Sequence, residues 1–595
     1  MSGRGQEREV PEPGALRPHL ERLEAGEPFK EVLEALLLEV PIATAERLGL
    51  LLREGRAAWL PLLSTPGGRL LLVGNALSGT AHAAAVLGFR PTLLDTDEER
   101  LAFEAARCEA LVGVRPETVL SHNEPRLPFE DESFDVVVRE AGVPLPAGGW
   151  AHDEAELWRV CRGELVLTAD NRLGYKRSLG ARGRFAVARP LELLGRALRP
   201  ASGERTLPGH RAALARPGAE PARALALYPS SADFTHVVAL DEPAPRLHIG
   251  PKERGNRLKM AGHRLGLFPW LTPSFALVAR RSEVPARPRI ERVLDSLAEI
   301  TGEERPELDE WIATRGNCVV ALTRPASGSG VDGRWCLHIA LGPHKHAQVE
   351  RHDRILHRLW EQGSPVPVPE PIWAGELEGL RLTCERRLTG LTAPQRSGEE
   401  PVMRRMFEEV AGHLEHLVEE PAAILEPADF ERHFAWRFEL VARHCGRDAT
   451  RRTLEHLRDE TRERVLGRAM PLTLQHADLR SKHVQIDDEG GVIGFLDWGS
   501  SRELDVPYFD LLQLLVHEEK QANGGRVGDA WRRFLLEGRL PGWAREALDG
   551  HAAAIGLDAE VAGALERCFP VFVAAMAESN WDYSRPRWVH RSFDL

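Results

Sequence analysis

Between Arg69 and Asn171, short apolar runs alternate with helix-spaced segments, and this alternation constrains the fold more than any other feature of the chain. LLLVG ends in the turn-rich NALSG and is followed by TAHAAAVLGF. TLLD leads into a helix carrying Leu101, Phe103 and Ala106, and FDVVV and GELVLTADNR come later. Parallel neighbours need crossover connections, so the pattern predicts a parallel sheet covered by helices on both faces. THVVAL and SFALVARR are strand-like and would close the sheet with an antiparallel pair. Ligands of such sheets sit beyond the carboxyl ends of the strands. A glycine-bearing turn there lets backbone approach, and an acid ending the second strand accepts from ribose hydroxyls. Gly74 and Gly79 bracket the first turn, and Asp95 ends the second strand.

Residues 15–63 show helical spacing (Leu16, Leu20, Leu23; Leu33, Leu36, Leu37) interrupted at Pro41. SEVPARPRI, with two prolines, precedes a fresh helix, RVLDSLAEI. The expected division is a helical segment over 1–64, an α/β domain over 65–283 and a second domain over 284–595. From Asn317 the pattern turns to β: CVVALTRP, the turn SGSGVDG and WCLHIAL read as a hairpin. RILHRLWEQ, PVPVPEPIWAG and LRLTCERRL follow as helix, loop and strand, and residues 403–468 are helical and charged.

The chain has 77 basic and 89 acidic residues, a net charge of −12, which argues against a bulk nucleic-acid binder. Only seven of the basic residues are lysines, so lysine-dependent phosphate chemistry has few positions. The seven cysteines lie far apart with no Cys-x-x-Cys, which supports neither a zinc ribbon nor a disulfide framework and fits a reducing cytoplasm. The opening MSGRGQEREVPEPG has no apolar stretch of the secretory type, and the uncharged segments 70–89 and 265–279 are too polar or too proline-broken for a membrane span. A cytoplasmic protein without a membrane span is the expectation.

The stretch QHADLRSKHVQIDDEGGVIGFLDWG places Asp478 in a polar loop and Asp497 just after a short apolar strand. Phosphoryl transfer needs such a pair. One carboxylate orients and deprotonates an acceptor hydroxyl, and another holds a divalent cation against nucleotide phosphates. Asp487 and Asp488 read as solvated turn residues. His344, His346, His352 and His357 form a local histidine-rich patch that reads as a solvated helix entry, a transition-metal site being the alternative; His476 and His483 flank Asp478.

Two family resemblances follow. Residues 65–280 resemble the class I S-adenosylmethionine-dependent methyltransferases through LLLVGNALSGTAHAAAVLGF, TLLDTDEER, LPFEDESFDVVV and ELWRVCRGELVLTADNRLG. The resemblance implies Asp95 at the ribose, Asn123 at the adenine, and Gly74 and Gly79 beside the cofactor. In the family's first motif, Val73 stands at the acid position and Asn75 and Leu77 at glycine positions. Residues 290–595 resemble the aminoglycoside phosphotransferase and choline kinase branch of the protein-kinase-like fold. That resemblance rests on His476-Ala477-Asp478, Leu496-Asp497-Trp498, the Pro507 and Asp510 of DVPYFDLLQLL, and CERRLTG. It implies Asp478 as catalytic base, Asp497 and His483 at the metal-ligand positions, and Asp510 as a scaffold acid. It also implies His338 at the strand-lysine position and Glu385 at the hinge, beside the nucleotide. His483 replaces the family's asparagine, and His352, with Glu350 two residues away, falls near the helix glutamate.

The implied fold class is α/β plus α+β. A Rossmann-like methyltransferase domain would be followed by a bilobal kinase-like domain, with an N-lobe over about 311–390 and a C-lobe over about 391–595. The implied function is ATP-dependent phosphorylation, with Mg²⁺ or Mn²⁺, of a hydroxyl on a small polar molecule, and S-adenosylmethionine is the implied cofactor of the first domain. The acceptor would lie near Glu518, Glu519, Glu578, Asp582 and Tyr583. The altered residues keep a second reading open: a catalytically impaired scaffold or regulatory protein in small-molecule or cell-surface polysaccharide metabolism.

Overall fold

The apolar runs between Gly68 and Asp170 form five parallel strands: β1 (Gly68–Val73), β2 (Phe89–Asp95), β3 (Glu117–Leu120), β4 (Phe134–Arg139) and β5 (Cys161–Asp170). This computed structural model describes residues 14–74, 76–140, 150–174, 205–241, 265–314, 316–326, 334–443, 445 and 448–579. Asn75, the turn at 327–333, Asp582 and Tyr583 lie outside the described residues. The chain divides into two compact units, residues 1–346 with 373–384, and residues 347–372 with 385–595.

In the first unit the parallel strands run in the order β3-β2-β1-β4-β5. Leu70 to Val73 and Val136 to Val138 are fully buried, as a sheet covered on both faces requires. Helices Gly79–Val86, Glu98–Val112 and Glu154–Val160 make the crossovers. The order reverses at β1, which lies between β2 and β4 and opens a crevice at their carboxyl ends. Strand β8 (Ser274–Arg280) pairs antiparallel with β5, followed in the sheet by β6 (Arg223–Tyr228) and β7 (His236–Ala239). The expected antiparallel closure by THVVAL and SFALVARR is therefore present, with β6 inserted between them.

The sheet does not stop there. His236 of β7 pairs with Ile312 of β9 (Glu307–Ala313), and Ala313 N–H donates to the Thr235 carbonyl at 2.9 Å. Strands β10 (Cys318–Arg324), β11 (Trp335–Ala340), β13 (Leu380–Arg386) and β12 (Pro371–Leu377) complete a thirteen-stranded sheet. The boundary expected at 283/284 thus falls inside the first unit. The proline-rich 282–288 segment is a connection within it, and the open edge of β7 is satisfied by the backbone of β9.

In the second unit, two three-stranded sheets carry the loops of interest. One has the order β14-β17-β18, from β14 (Leu391–Thr392), β17 (Val484–Ile486) and β18 (Val492–Phe495). The other has the order β15-β16-β19, from β15 (Val418–Ile424), β16 (Ala469–Gln475) and β19 (Arg502–Asp505). Helices make up most of the rest. Helix Glu400–Glu415 buries Met403, Met406, Phe407, Val410, Ala411 and Leu414 at a three-to-four-residue spacing. Phe430, Phe434 and Phe438 join Phe569 and Phe572 of helix Ala559–Ser579 in the core. No described helix is long and apolar enough to cross a membrane.

Gly79 opens its helix where a side chain would collide with backbone, its Cβ falling 2.1 Å from the Arg53 carbonyl oxygen, whereas Gly412 has nothing within 4 Å of a Cβ. Gly79→Ala is expected to destabilise by about 1–3 kcal/mol. Gly412→Ala, mid-helix, is expected to be neutral or stabilising by up to about 1 kcal/mol. Thermal melts of the two variants against the parent check both.

Candidate functional site

The loop after β16 turns on a buried carboxylate. Asp510, near the start of helix Phe509–Asn523, accepts from the backbone N–H groups of His476 at 2.6 Å and Ala477 at 2.8 Å. Those two bonds hold Ala477 in the left-handed region, φ +64°, where a methyl-bearing residue is strained. Burial pushes the Asp510 carboxyl up to about 7, while the two N–H donors pull the other way. His476 Nε2–H donates to the Leu496 carbonyl at 2.9 Å, and its Nδ1 lies 3.4 Å from the Asp478 N–H. Both nitrogens of His476 are therefore engaged within the two loops. Its ring packs 4.7 Å from the Trp498 ring.

This fixed turn aims Asp478. Arg480 donates to its Oδ2, and Gln513 Nε2 approaches Oδ1 at 3.4 Å. Burial pushes the Asp478 carboxyl up, but Arg480, His483 and Lys482 outweigh it and hold the group at about 2. Asp497 follows β18 in the left-handed region, φ +63°, with its side chain 44% exposed. His483 lies between the two acids. Its Nδ1 is 2.7 Å from the Asp478 carbonyl oxygen and 3.9 Å from Asp478 Oδ2, and its Nε2 is 3.5 Å from Asp497 Oδ2. A carbonyl only accepts, so Nδ1 carries the proton. Burial, helped by the nearby Lys482, pushes the His483 ring down to about 3. At neutral pH the ring is uncharged and presents the Nε2 lone pair toward the Asp497 carboxylate.

A third histidine fixes the Asp497 loop from the other side. His352 Nε2 lies 2.6 Å from Glu385 Oε2, and its Nδ1 accepts from the Trp498 N–H at 3.0 Å. Both His352 and Glu385 are buried, so one oxygen of the Glu385 carboxylate serves to hold the His352 ring. His352 occupies the inward helix position, and Glu350 is exposed. Within the histidine-rich patch, His352 bridges Glu385 and Trp498, while His357 lies 3.0 Å from the Asp353 carbonyl. Of the acids expected near an acceptor, Glu519 is held by Arg533 and Asn523. Sequence reasoning missed Arg480, Gln513 and the bridging role of His352. The first two lie beside Asp478 only through a two-residue step and a helix from another segment.

The crevice of the first unit is a different matter. His338 lies in β11 of this unit, opposite Val320, with its Nε2 3.5 Å from Cys336 Sγ. Asp95 is 1% exposed, and its carboxylate accepts from the N–H groups of Ala76, Thr96 and Asp97 and from Arg100 Nη2 at 2.7 Å. Gly74, φ +76°, is covered by the Trp150 ring, which a Cβ would meet at 2.8 Å. The 3-10 turn Glu54–Ala57 packs onto Gly79. Arg56 Nη2 reaches Glu140 at 3.4 Å, where Ser78 and Thr80 also donate. Glu54 is held by His82 at 2.7 Å and Arg107 at 2.8 Å. The Asn123 side-chain oxygen accepts from the Ala151 N–H at 2.9 Å. Gly74, Gly79, Asp95 and Asn123 thus each meet the chain's own backbone or side chains.

Residues 326–549 match the model of the phosphotransferase enzyme family, APH. A search of curated proteins found no match. Similar solved structures include aminoglycoside phosphotransferase APH(3'')-Id from Streptomyces rimosus ATCC10970, at 17% identity over 47% of this chain and 97% of that one, TM-score 0.28. Aminoglycoside-3'-phosphotransferase of type VIII is similar at 18% identity over 42% of this chain and 88% of that one, TM-score 0.26. The APH(2")-IIa of a streptomycin–ATP ternary complex is similar at 11% identity over 46% of this chain and 97% of that one, TM-score 0.28.

Removing the Asp510 acceptor leaves two buried N–H groups unpaired, so Asp510→Ala is expected to cost about 2–4 kcal/mol. Ala477→Gly, which relieves the left-handed backbone, is expected to gain about 1 kcal/mol. Urea unfolding of the two variants tests the arrangement, and an unchanged midpoint for Asp510→Ala would refute it.

Proposed function

We propose that the chain is an ATP-dependent phosphotransferase acting on a hydroxyl of a small polar molecule, with its chemistry in the loops around Asp478 and Asp497. The observation that carries this reading is His483 touching both acids, in a segment that matches a phosphotransferase family. Two carboxylates 19 positions apart in sequence are brought to one imidazole.

Asp478, an anion at neutral pH, receives and orients the acceptor hydroxyl and takes its proton as the oxygen–phosphorus bond forms and the bond from the γ-phosphorus to the departing ADP oxygen breaks. A carboxylate held near 2 has little driving force as a base, so its main contribution is orientation of the attacking oxygen. Arg480 sets the rotamer of Asp478 from one side and Gln513 from the other. Asp497 Oδ2 and His483 Nε2 are the atoms that would hold a divalent cation, and their facing electron-rich atoms suit one. Such an ion supplies charge neutralisation on nucleotide phosphates. His352 keeps Asp497 in position through the Trp498 N–H.

Asp478→Asn is expected to keep nucleotide binding and lose about 10²–10⁴ in turnover, whereas Asp497→Asn is expected to lose nucleotide binding in the presence of the metal. Because protonation switches Asp478 off only as pH falls through about 2, the rate should show no acid limb near pH 4. Calorimetric ATP titrations and a pH–rate profile of ATP consumption measure these, and a limb near pH 4 would sink the assigned role of Asp478.

A specific observation favours the second reading for the first unit alone. Its parallel strand order with an antiparallel closure is compatible with the methyltransferase resemblance, but its crevice residues do not fit S-adenosylmethionine. Asp95 already accepts three backbone N–H groups and Arg100, and Trp150 and the 53–57 segment lie against Gly74 and Gly79. No methyl-transfer step is derived, and the unit acts as a structural support. Titration of the full chain with S-adenosylmethionine is expected to give no binding heat and no shift in melting temperature; micromolar binding would refute this reading.

A further inference from the structure

We infer that the His483–Asp497 pair selects a nitrogen-accepting first-row transition cation, of the Co²⁺ or Zn²⁺ class, over Mg²⁺. The inference rests on the phosphotransferase reading and deepens it by naming the metal class. The Asp478 carbonyl, 2.7 Å from His483 Nδ1, fixes the proton there and leaves Nε2 as the coordinating atom. A backbone carbonyl in this role orients a ligating imidazole and raises its basicity. Nε2 and Asp497 Oδ2 stand 3.5 Å apart, with the imidazole only 6% exposed. Two ligand atoms on one ion with bonds of about 2.1 Å lie about 3.0 Å apart in an octahedron and about 3.4 Å in a tetrahedron. The observed gap closes onto a shared ion with a small side-chain movement. Magnesium takes oxygen ligands and tolerates little departure from its octahedron, whereas imidazole nitrogen suits later first-row ions. His476 does not complete the set, because its Nε2–H is committed to Leu496. Phosphate oxygens and water would fill the remaining positions.

The test uses the full chain and CoCl₂, with MgCl₂ as competitor. Visible absorption of bound Co²⁺ gives the affinity. Proton NMR of the cobalt-loaded chain reads the ligand, because a coordinated imidazole carrying Nδ1–H gives one hyperfine-shifted, solvent-exchangeable resonance. Co²⁺ is expected to bind at least about tenfold tighter than Mg²⁺. His483→Asn is expected to lose the resonance and narrow that ratio by at least about tenfold. Absence of the resonance in the unmodified chain overturns the inference whatever the variant does, as does an unchanged ratio in a folded His483→Asn. ATP turnover with Mg²⁺ and no imidazole resonance defeats the metal assignment while the phosphotransferase reading stands. The resonance without ATP turnover upholds the metal assignment and defeats that reading.

Discussion

The second unit is organised by one buried carboxylate accepting two backbone N–H groups. Asp510 sits on a helix, and the His476 and Ala477 amides it receives belong to the loop after β16. An unpaired amide in that setting would cost about 1–3 kcal/mol, so the loop has little freedom to choose another path. From this one constraint the direction of Asp478 follows, and so does the place of His476 against Trp498. The strained backbone at Ala477 is the cost of that arrangement, and left-handed non-glycine residues persist where surrounding bonds over-determine them. Asp497, also left-handed, is fixed from its own side by the His352 bond to the next amide.

The same physics closes the crevice of the first unit. A doubly wound sheet always leaves amides and a strand-end acid at its switch point, and these must be paired by a ligand or by the protein. Here Asp95 receives three backbone amides and an arginine, and the segment preceding β1 folds over Gly79. Glu54 enters the interior as a charge because His82 and Arg107 meet it there, which keeps a buried carboxylate tolerable. The result is a parallel sheet whose switch-point groups are paired by its own chain.

Much of this was legible from residue pattern. The alternation from Arg69 onward specified a parallel sheet, and β1, β2, β4 and β5 form where the apolar runs stand. The HAD and LDW phrases mark both acids, and the scaffold role that the resemblance implies for Asp510 agrees with its two backbone bonds. Other features were hidden for physical reasons. Edge pairing of β7 with β9 depends on backbone groups, which are identical in every residue and leave no trace in side-chain pattern. The partnership of His352 with Glu385 joins residues 33 positions apart that carry no periodic signal.

The sequence by itself determined the element types, the polar turn carrying Asp478 and the presence of an imidazole at position 483. These follow from local periodicity and residue chemistry, which act over a few neighbours. Tertiary structure decided which groups are already occupied. Only packing could show that Asp95 and Gly74 are enclosed by their own chain, and that the His483 proton points at a carbonyl, leaving its other nitrogen facing Asp497. Satisfaction of a polar group depends on what distant segments bring within hydrogen-bonding reach, and that distance is set by the fold rather than by the order of residues.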